Sequence, residues 1–260
     1  MALTKVTGAG VEGVTISSTT DVSDQFILTN TNTGSSSGPD LVLFRQSTSS
    51  AADSDGIGRI DYRGLNDANE EINYATTYAK ISDASDGTED GEFYIQQISG
   101  GSYVTTLKID GSGAVTKPLQ PAFLAHPSST VTDMAVNTTH TLLFQTEVAD
   151  RNSDFDGSTG IFTAPVTGLY HFSALLRLQE MNHGYSIVHC KLITSNSSNY
   201  IWIMDMRFGD ANPDYFPIAF STMADMDAGD TAKLQLFIPN YGSAQVDFRE
   251  ESWFSGYLVC

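Results

Sequence analysis

One stretch near the middle of the chain constrains its fold more than any other. Residues 155–173 read FDGSTGIFTAPVTGLYHFS. The turn dipeptides Asp156-Gly157 and Thr159-Gly160 precede a β-branched and aromatic segment that favours a strand. Pro165 cannot donate to a ladder and ends that strand. After Gly168, bulky residues alternate on both faces, so we predict a long strand buried on both sides. We also expect Gly160 or Gly168 to need a positive φ.

This stretch resembles the signature of the complement C1q and tumour-necrosis-factor-like jelly roll. The family pattern is an aromatic residue followed by Thr-Gly-x-Phe-Thr-Ala-Pro-x-x-Gly-x-Tyr-x-Phe-Ser, which residues 155–173 match. Two further family features, an Ala-Gly-Asp turn and a terminal aromatic strand, are matched at residues 228–230 and 253–259. The resemblance implies a ten-stranded sandwich that assembles as a tight homotrimer. Strand alternation alone predicts only an antiparallel sandwich.

Two prolines, Pro118 and Pro121, interrupt the strand pattern and indicate a domain boundary. We predict an all-β chain with an N-terminal arm at 1–25, an antiparallel β module at 26–117 and the jelly roll at 118–260. The expected strands of the module lie at 26–29, 41–46, 58–64, 74–81, 92–97 and 103–109, with a short strand after residue 113. The expected strands of the jelly roll lie at 122–125, 141–146, 160–164, 168–178, 185–194, 200–208, 215–223, 232–238 and 252–259.

The module at 26–117 resembles one that is common in bacteriophage tail and fibre proteins. Its loose pattern of glycines, aromatics and an acidic stretch is matched at Gly58 to Gly64, Tyr78 to Ile81, Asp86 to Ile95 and Leu107 to Val115. The resemblance implies that the first half of the chain attaches to a virus particle.

The charge of the chain excludes several classes of partner. Thirteen basic residues face 31 acidic ones, for a formal net charge of −18. Such acidity argues against nucleic-acid binding and against docking on an anionic bilayer. No apolar run is long enough to cross a membrane, and no signal peptide is visible, so we expect the chain to stay where it is made or to leave by lysis. With the phage resemblance, this implies a virion protein made in the host cytoplasm. Cys190 and Cys260 form no disulfide framework, and we expect two reduced thiols.

No motif in the sequence indicates catalysis. The five histidines form no HExxH pair, and neither a Gly-x-Ser-x-Gly elbow nor a phosphate loop is present. We therefore predict a protein that is not an enzyme and has no catalytic residue, although abundant carboxylates leave a glycosidase pair open. Loop carboxylates at Asp154 and Asp156 are candidate calcium ligands, the alternative being ordinary solvated loops.

Aromatic residues of the second half are expected to form the core or the trimer interface, with sugar stacking as the alternative. These residues are Tyr170, Phe172, Trp202, Phe220, Trp253, Phe254 and Tyr257. Receptor contacts are expected on distal loops at 195–200, 209–215 and 240–242, because sandwich strands are committed to the core. The candidates are Tyr200, Asp210, Asn212, Asp214, Tyr215, Asn240 and Tyr241.

Together these features predict a trimeric bacteriophage fibre or head-decoration protein. The jelly roll would bind a glycan or protein on the host surface, and the N-terminal part would bind other virion proteins. The alternatives are a soluble bacterial C1q-like lectin and a fibre-borne polysaccharide depolymerase.

Overall fold

A computed structural model describes residues 27–35, 38–46, 49–185, 187–197, 200–208, 210–239 and 245–260. The first half contains β1 (Gly56–Leu65), β2 (Glu71–Asp83), β3 (Asp90–Ser99), β4 (Ser102–Ile109) and β5 (Val115–Thr116). The second half contains β6 (Ala122–His126), β7 (Val131–Ala135), β8 (His140–Thr141), β9 (Thr146–Asp150), β10 (Phe155–Asp156), β11 (Ile161–Thr163), β12 (Gly168–Gln179), β13 (Val188–Thr194), β14 (Tyr200–Met204), β15 (Tyr215–Met226), β16 (Thr231–Phe237), β17 (Gln245–Phe248) and β18 (Trp253–Leu258). A single turn of 3₁₀ helix lies at Met206–Phe208. None of the described segments contains a helix long and apolar enough to cross a membrane.

The first half forms one five-stranded antiparallel sheet in the order β1-β2-β3-β4-β5. The predicted hairpin closes through Gly100 and Gly101, both at positive φ, as the tight turn between β3 and β4 requires. The expected strands at 26–29 and 41–46 are wrong: residues 27–29 and 41–46 pair with no other strand. Their apolar side chains, among them Val42 and Phe44, stay exposed because no neighbouring strand lies beside them. The predicted arm at 1–25 lies outside the described residues.

The second half is the expected jelly roll, with two antiparallel sheets that pack face to face. One sheet has the order β10-β11-β16-β13-β14, with β8 beside β16. The other has the order β7-β17-β12-β18-β6-β9, with β15 on the opposite edge of β12. Between them lies a core rich in aromatic rings, where Phe123 stacks on Phe155 with ring centroids 4.4 Å apart. Burial of these rings provides the main drive for folding.

Strand β12 is central to its sheet, yet it is fully buried on one side only. Tyr170, Phe172 and Leu176 face the core and are inaccessible to solvent, whereas His171 and Leu175 on the other side are half-buried. The prediction of burial on both sides is therefore wrong for the single chain. The second side is half-open because no described segment forms a layer over it.

Several boundaries also differ from the predictions. The segment expected as one strand at 141–146 divides into β8 and β9, because Leu142 and Phe144 leave the ladder and enter the core. Strands β7, β10 and β17 were not predicted, since they are short and only part of each is buried. Of the two signature glycines, Gly160 has the expected positive φ of 68°, and Gly168 does not.

Candidate functional site

The outer side of strands β15, β12, β18 and β6 is an uncovered surface of the jelly roll, which we call the open face. Because side chains alternate along a strand, every second residue of each strand lies on this side. Its members are Leu124, His171, Ser173, Leu175, Tyr215, Pro217, Ala219, Ser221, Met223, Trp253, Ser255 and Tyr257. Met223 is 51% exposed and Tyr257 is 48% exposed. None of these twelve positions carries a carboxylate or an ammonium group, but the same register places Asp225, opposite Leu169, and Arg177, opposite Pro217, towards the two ends of this side.

Small side chains occupy the centre of the open face. Ser173 stands directly opposite Ser255 on one side and Ser221 on the other. His171 lies beside them, with Nε2 2.6 Å from the Ser221 hydroxyl and its ring centroid 5.0 Å from that of Tyr257. A flat centre of small polar groups with larger apolar groups around it allows another protein surface to approach closely.

Charged groups lie at one end of the open face, where β12 ends. The Arg177 guanidinium is 3.1 Å from the Glu251 carboxylate and lies 4.4 Å from the centroid of the Tyr215 ring. Arg249 also approaches Glu251, at 3.3 Å. A backbone hydrogen bond and the Arg249 side chain lower the pKa of Glu251, so this carboxylate is held ionised.

A groove of about 600 Å³ runs along the edge of the same face. Leu124, His126, Val148 and Trp253 line it, together with residues 250–252. Val148 is 62% exposed, because the register shift between β6 and β9 turns it outward. The groove therefore extends the apolar part of the open face.

The aromatic residues that the sequence assigned to core or interface divide into two groups. Tyr170, Phe172 and Phe254 are completely buried between the sheets, and the Tyr170 hydroxyl donates to the Val166 carbonyl at 2.7 Å. Phe220 is also buried, and the half-buried Trp202 stacks on it at 3.8 Å. Only Trp253 and Tyr257 of this set lie on the open face.

The candidate receptor residues do not meet at one place. One group lies at the end of β12 that is remote from the linker 117–121. It consists of Asn212 and Tyr215 together with the exposed Asp210 and Asp214. Residues 195–197 lie at the opposite end, where Asn196 donates to the Asp225 carbonyl at 3.0 Å. Tyr200 begins β14 at that same end, opposite Leu192. The expectation that 195–200 is a distal loop is therefore wrong, and Asn240 and Tyr241 lie outside the described residues.

Two residues that sequence reasoning did not single out belong to the remote end. His183 binds Asn212 through its backbone amide at 3.0 Å and its ring Nδ1 at 2.7 Å, which joins the loop at 180–185 to the loop at 210–214. Arg177 places its guanidinium on Tyr215. The sequence offered no signal for either contact. His183 and Asn212 are separated by 29 residues, and Arg177 and Tyr215 are neighbours only through the register of β12 and β15.

The candidate calcium ligands have other roles in the described structure. The Asp156 carboxylate accepts hydrogen bonds from Ser158 and Thr159, which lower its pKa and close the turn before β11. The Asp154 carboxylate accepts a hydrogen bond from the Asn152 side chain at 3.4 Å, and desolvation raises its pKa. Among the described residues, no group of three or more histidine, cysteine or acidic side chains could hold a metal.

Comparison with known proteins identifies one family. The family model for the C1q domain matches residues 122–259. The globular domain of zebrafish complement 1qA protein is 20% identical, with 54% of this chain and 98% of that chain covered and a TM-score of 0.43. Murine APRIL, in a crystal structure at pH 8.5, is 10% identical, with 54% and 99% covered and a TM-score of 0.39. No curated protein matches the chain.

Proposed function

The chain belongs to the C1q domain family, and on this premise we propose that it is a homotrimeric, non-enzymatic structural protein of a bacteriophage particle. Its N-terminal part attaches to the particle, as a fibre or as a head decoration. The jelly roll projects and binds a glycan or protein of the host surface. The protein is made in the host cytoplasm and resides in the virion.

The open face is the observation that supports the trimer. It combines a centre of small residues, Ser173, Ser221 and Ser255, with exposed apolar groups such as Met223 and Tyr257. A chain with a net charge of −18 repels its own copies over most of its surface. Copies that meet through the centre of this face, which carries no carboxylate, avoid this repulsion while they bury apolar area.

The remote loops support binding to a host surface. Residues 210–215 and 180–185 lie at the end of the jelly roll opposite the linker, so a protein attached through its N-terminal part presents them outward. Tyr215 is 47% exposed and offers an aromatic ring, and Asp210 and Asp214 offer exposed carboxylates. A trimer would carry three copies, and three weak sites on one rigid body bind with high avidity.

The sequence pattern of residues 58–115 supports a place in a bacteriophage particle. A bacterial C1q-like lectin is the second candidate, because the Tyr215 ring with its neighbouring Arg177 also suits a sugar. The two candidates differ in location and share the trimer.

Sedimentation equilibrium of the full chain tests the trimer. We expect a mass of three chains, and Ser255→Arg should give monomers because it places a charge at the centre of the open face. Ala228→Arg, in an exposed turn away from this face, is the matched control. A monomeric parent at micromolar concentration would refute the proposal.

Purified phage particles test the virion role. An antibody against the chain should label intact particles, and Asp210→Ala with Asp214→Ala should reduce adsorption to the host without altering the trimer mass. Absence of the chain from purified particles would refute the virion role and favour the lectin.

A further inference from the structure

The five-stranded N-terminal sheet has one face that nothing in the described chain covers, apart from one corner. Residues opposite each other in the ladder point to the same side, which gives three rows across the sheet. The rows are Gly58, Ala79, Phe93, Ile109 and Val115; Ile60, Thr77, Ile95 and Leu107; and Tyr62, Ala75, Gln97 and Val104. We call this side the apolar face.

The apolar face carries no charged side chain at any of these thirteen positions. The charged residues of the same strands lie on the other side, where Arg59 pairs with Asp61 at 2.7 Å and Lys108 pairs with Glu92 at 2.7 Å. Tyr78 and Tyr94 stack between them at 4.7 Å. The sheet is therefore divided into one polar, internally paired side and one apolar side.

Large apolar side chains of the apolar face are exposed to solvent. Ile60, Tyr62, Phe93 and Ile95 are 43%, 56%, 39% and 37% exposed. Side chains of this size present about 150–250 Å² when free, so these four leave roughly 350–400 Å² of one continuous patch in contact with solvent. A patch of this size marks an interaction surface. Leu43 covers only the corner at Gly58, where its Cβ lies 2.8 Å from the position of a glycine Cβ.

A single sheet cannot bury its own apolar face and needs a second layer. The jelly roll cannot supply one from its core, because its two sheets already cover each other. The linker between β5 and β6 spans only Lys117 to Pro121, so it reaches at most about 17 Å. Gln120 also donates to the Leu258 carbonyl at 2.7 Å, and Leu258 donates to the Pro121 carbonyl at 3.0 Å. The sheet is thus anchored close to the end of β18.

We infer that the apolar face is a second assembly interface, and that its occupant is the same face of the other copies of this chain. This inference rests on the proposed trimer, which brings three anchored sheets together at high effective concentration. Three patches of roughly 350–400 Å² bury about 1,100 Å² in the whole trimer, about a third of it at each pairwise contact, so this interface adds to the one formed by the jelly rolls and does not hold the chains together alone. Identical faces without charged groups can also meet without the electrostatic repulsion that a net charge of −18 causes between other parts of the chain.

Chemical crosslinking of the full chain tests the inference. Ile95 lies on the central strand and in the central row, so three copies of it should meet near the trimer axis. In a Cys260→Ser background, Ile95→Cys should be joined between chains by a bismaleimide of about 10 Å, the separation of packed sheets. Gln96→Cys, the next residue on the same strand and on the polar side, is the matched control and should remain uncrosslinked.

The outcomes separate this inference from the proposed function. A sedimentation mass of three chains with efficient crosslinking at Ile95→Cys alone supports both. A mass of three chains without crosslinking at Ile95→Cys, or with equal crosslinking at Gln96→Cys, overturns the inference and leaves the trimer intact. Crosslinking that appears only after residues 1–26 are deleted also overturns it, because the occupant would then be the chain's own N-terminal segment. A parent that sediments as a monomer overturns both.

Discussion

Gly160 offers the sharpest test of how tightly the signature turn is built. Its φ is 68°, in the left-handed region, and its amide donates to the Asp156 carbonyl at 2.8 Å. A Cβ at this position would lie 2.4 Å from the carbonyl oxygen of Leu142. Leu142 is buried, and its own amide donates to the Leu234 carbonyl at 3.0 Å, so it cannot retreat freely.

The expected cost of Gly160→Ala has two parts. A left-handed backbone costs an L-residue about 1–2 kcal/mol. A carbon and an oxygen normally approach to about 3.3 Å, so the clash requires a backbone shift of roughly 1 Å, and such overpacking costs about 1–3 kcal/mol. We therefore expect Gly160→Ala to lower the free energy of unfolding by about 2–5 kcal/mol.

Gly229→Ala is the matched control, because it isolates the first part. Gly229 has a φ of 91° and no atom within 4 Å of its Cβ position. Its replacement should cost only about 1–2 kcal/mol. Urea unfolding of both variants at one protein concentration measures the difference, since assembly makes stability depend on concentration. If the two variants agree within about 0.5 kcal/mol, the approach of Leu142 to Gly160 is not rigid and the reasoning fails.

Two further predictions concern buried groups of the jelly roll. Tyr170→Phe should lower the free energy of unfolding by about 1–2 kcal/mol, because it leaves the Val166 carbonyl without its partner; urea titration of this variant and of the parent measures the difference. A thiol reagent should modify only Cys260 in the native protein and both cysteines in urea, because burial raises the pKa of the Cys190 thiol to about 12. The burial of Cys190 would be contradicted if two thiols reacted rapidly in the native protein. It would also be contradicted if the reagent modified Cys190 in native Cys260→Ser.

The sequence predicts local geometry well where one residue type has one physical role. Glycine at position 160 and proline at 165 indicated the turn and the strand end. Long-range packing gave no such signal. Gly256 is an example: a Cβ there would lie 2.7 Å from ring atoms of both Phe123 and Phe172, yet nothing near Gly256 in the chain indicates this crossing of rings.

The candidate site was less predictable, because its members are brought together by strand register. Loops at 195–200 and 209–215 look alike in composition, being polar and close to an aromatic residue. Which end of the sandwich each occupies depends on the direction of β13 and β15, and composition does not report direction. The open face was hidden for a related reason. Leu175 and Leu176 point to opposite sides of β12 and are both apolar, so the sequence indicates burial on both sides. Whether the second side is covered depends on how many layers the protein has.

The two halves of the chain present the same physical problem at different levels. Each has a sheet with an uncovered side, but the jelly roll also has a closed core that stabilises it. The N-terminal sheet has no such core among the described residues, and its ion pairs, such as Arg59 with Asp61, lie at the surface, where solvent screens them. Its stability must therefore depend on covering Ile60, Phe93 and Ile95. Assembly of the jelly rolls would bring the N-terminal sheets of the copies together and so cover these residues. The stability of the N-terminal module would then depend on assembly of the C1q-like domain.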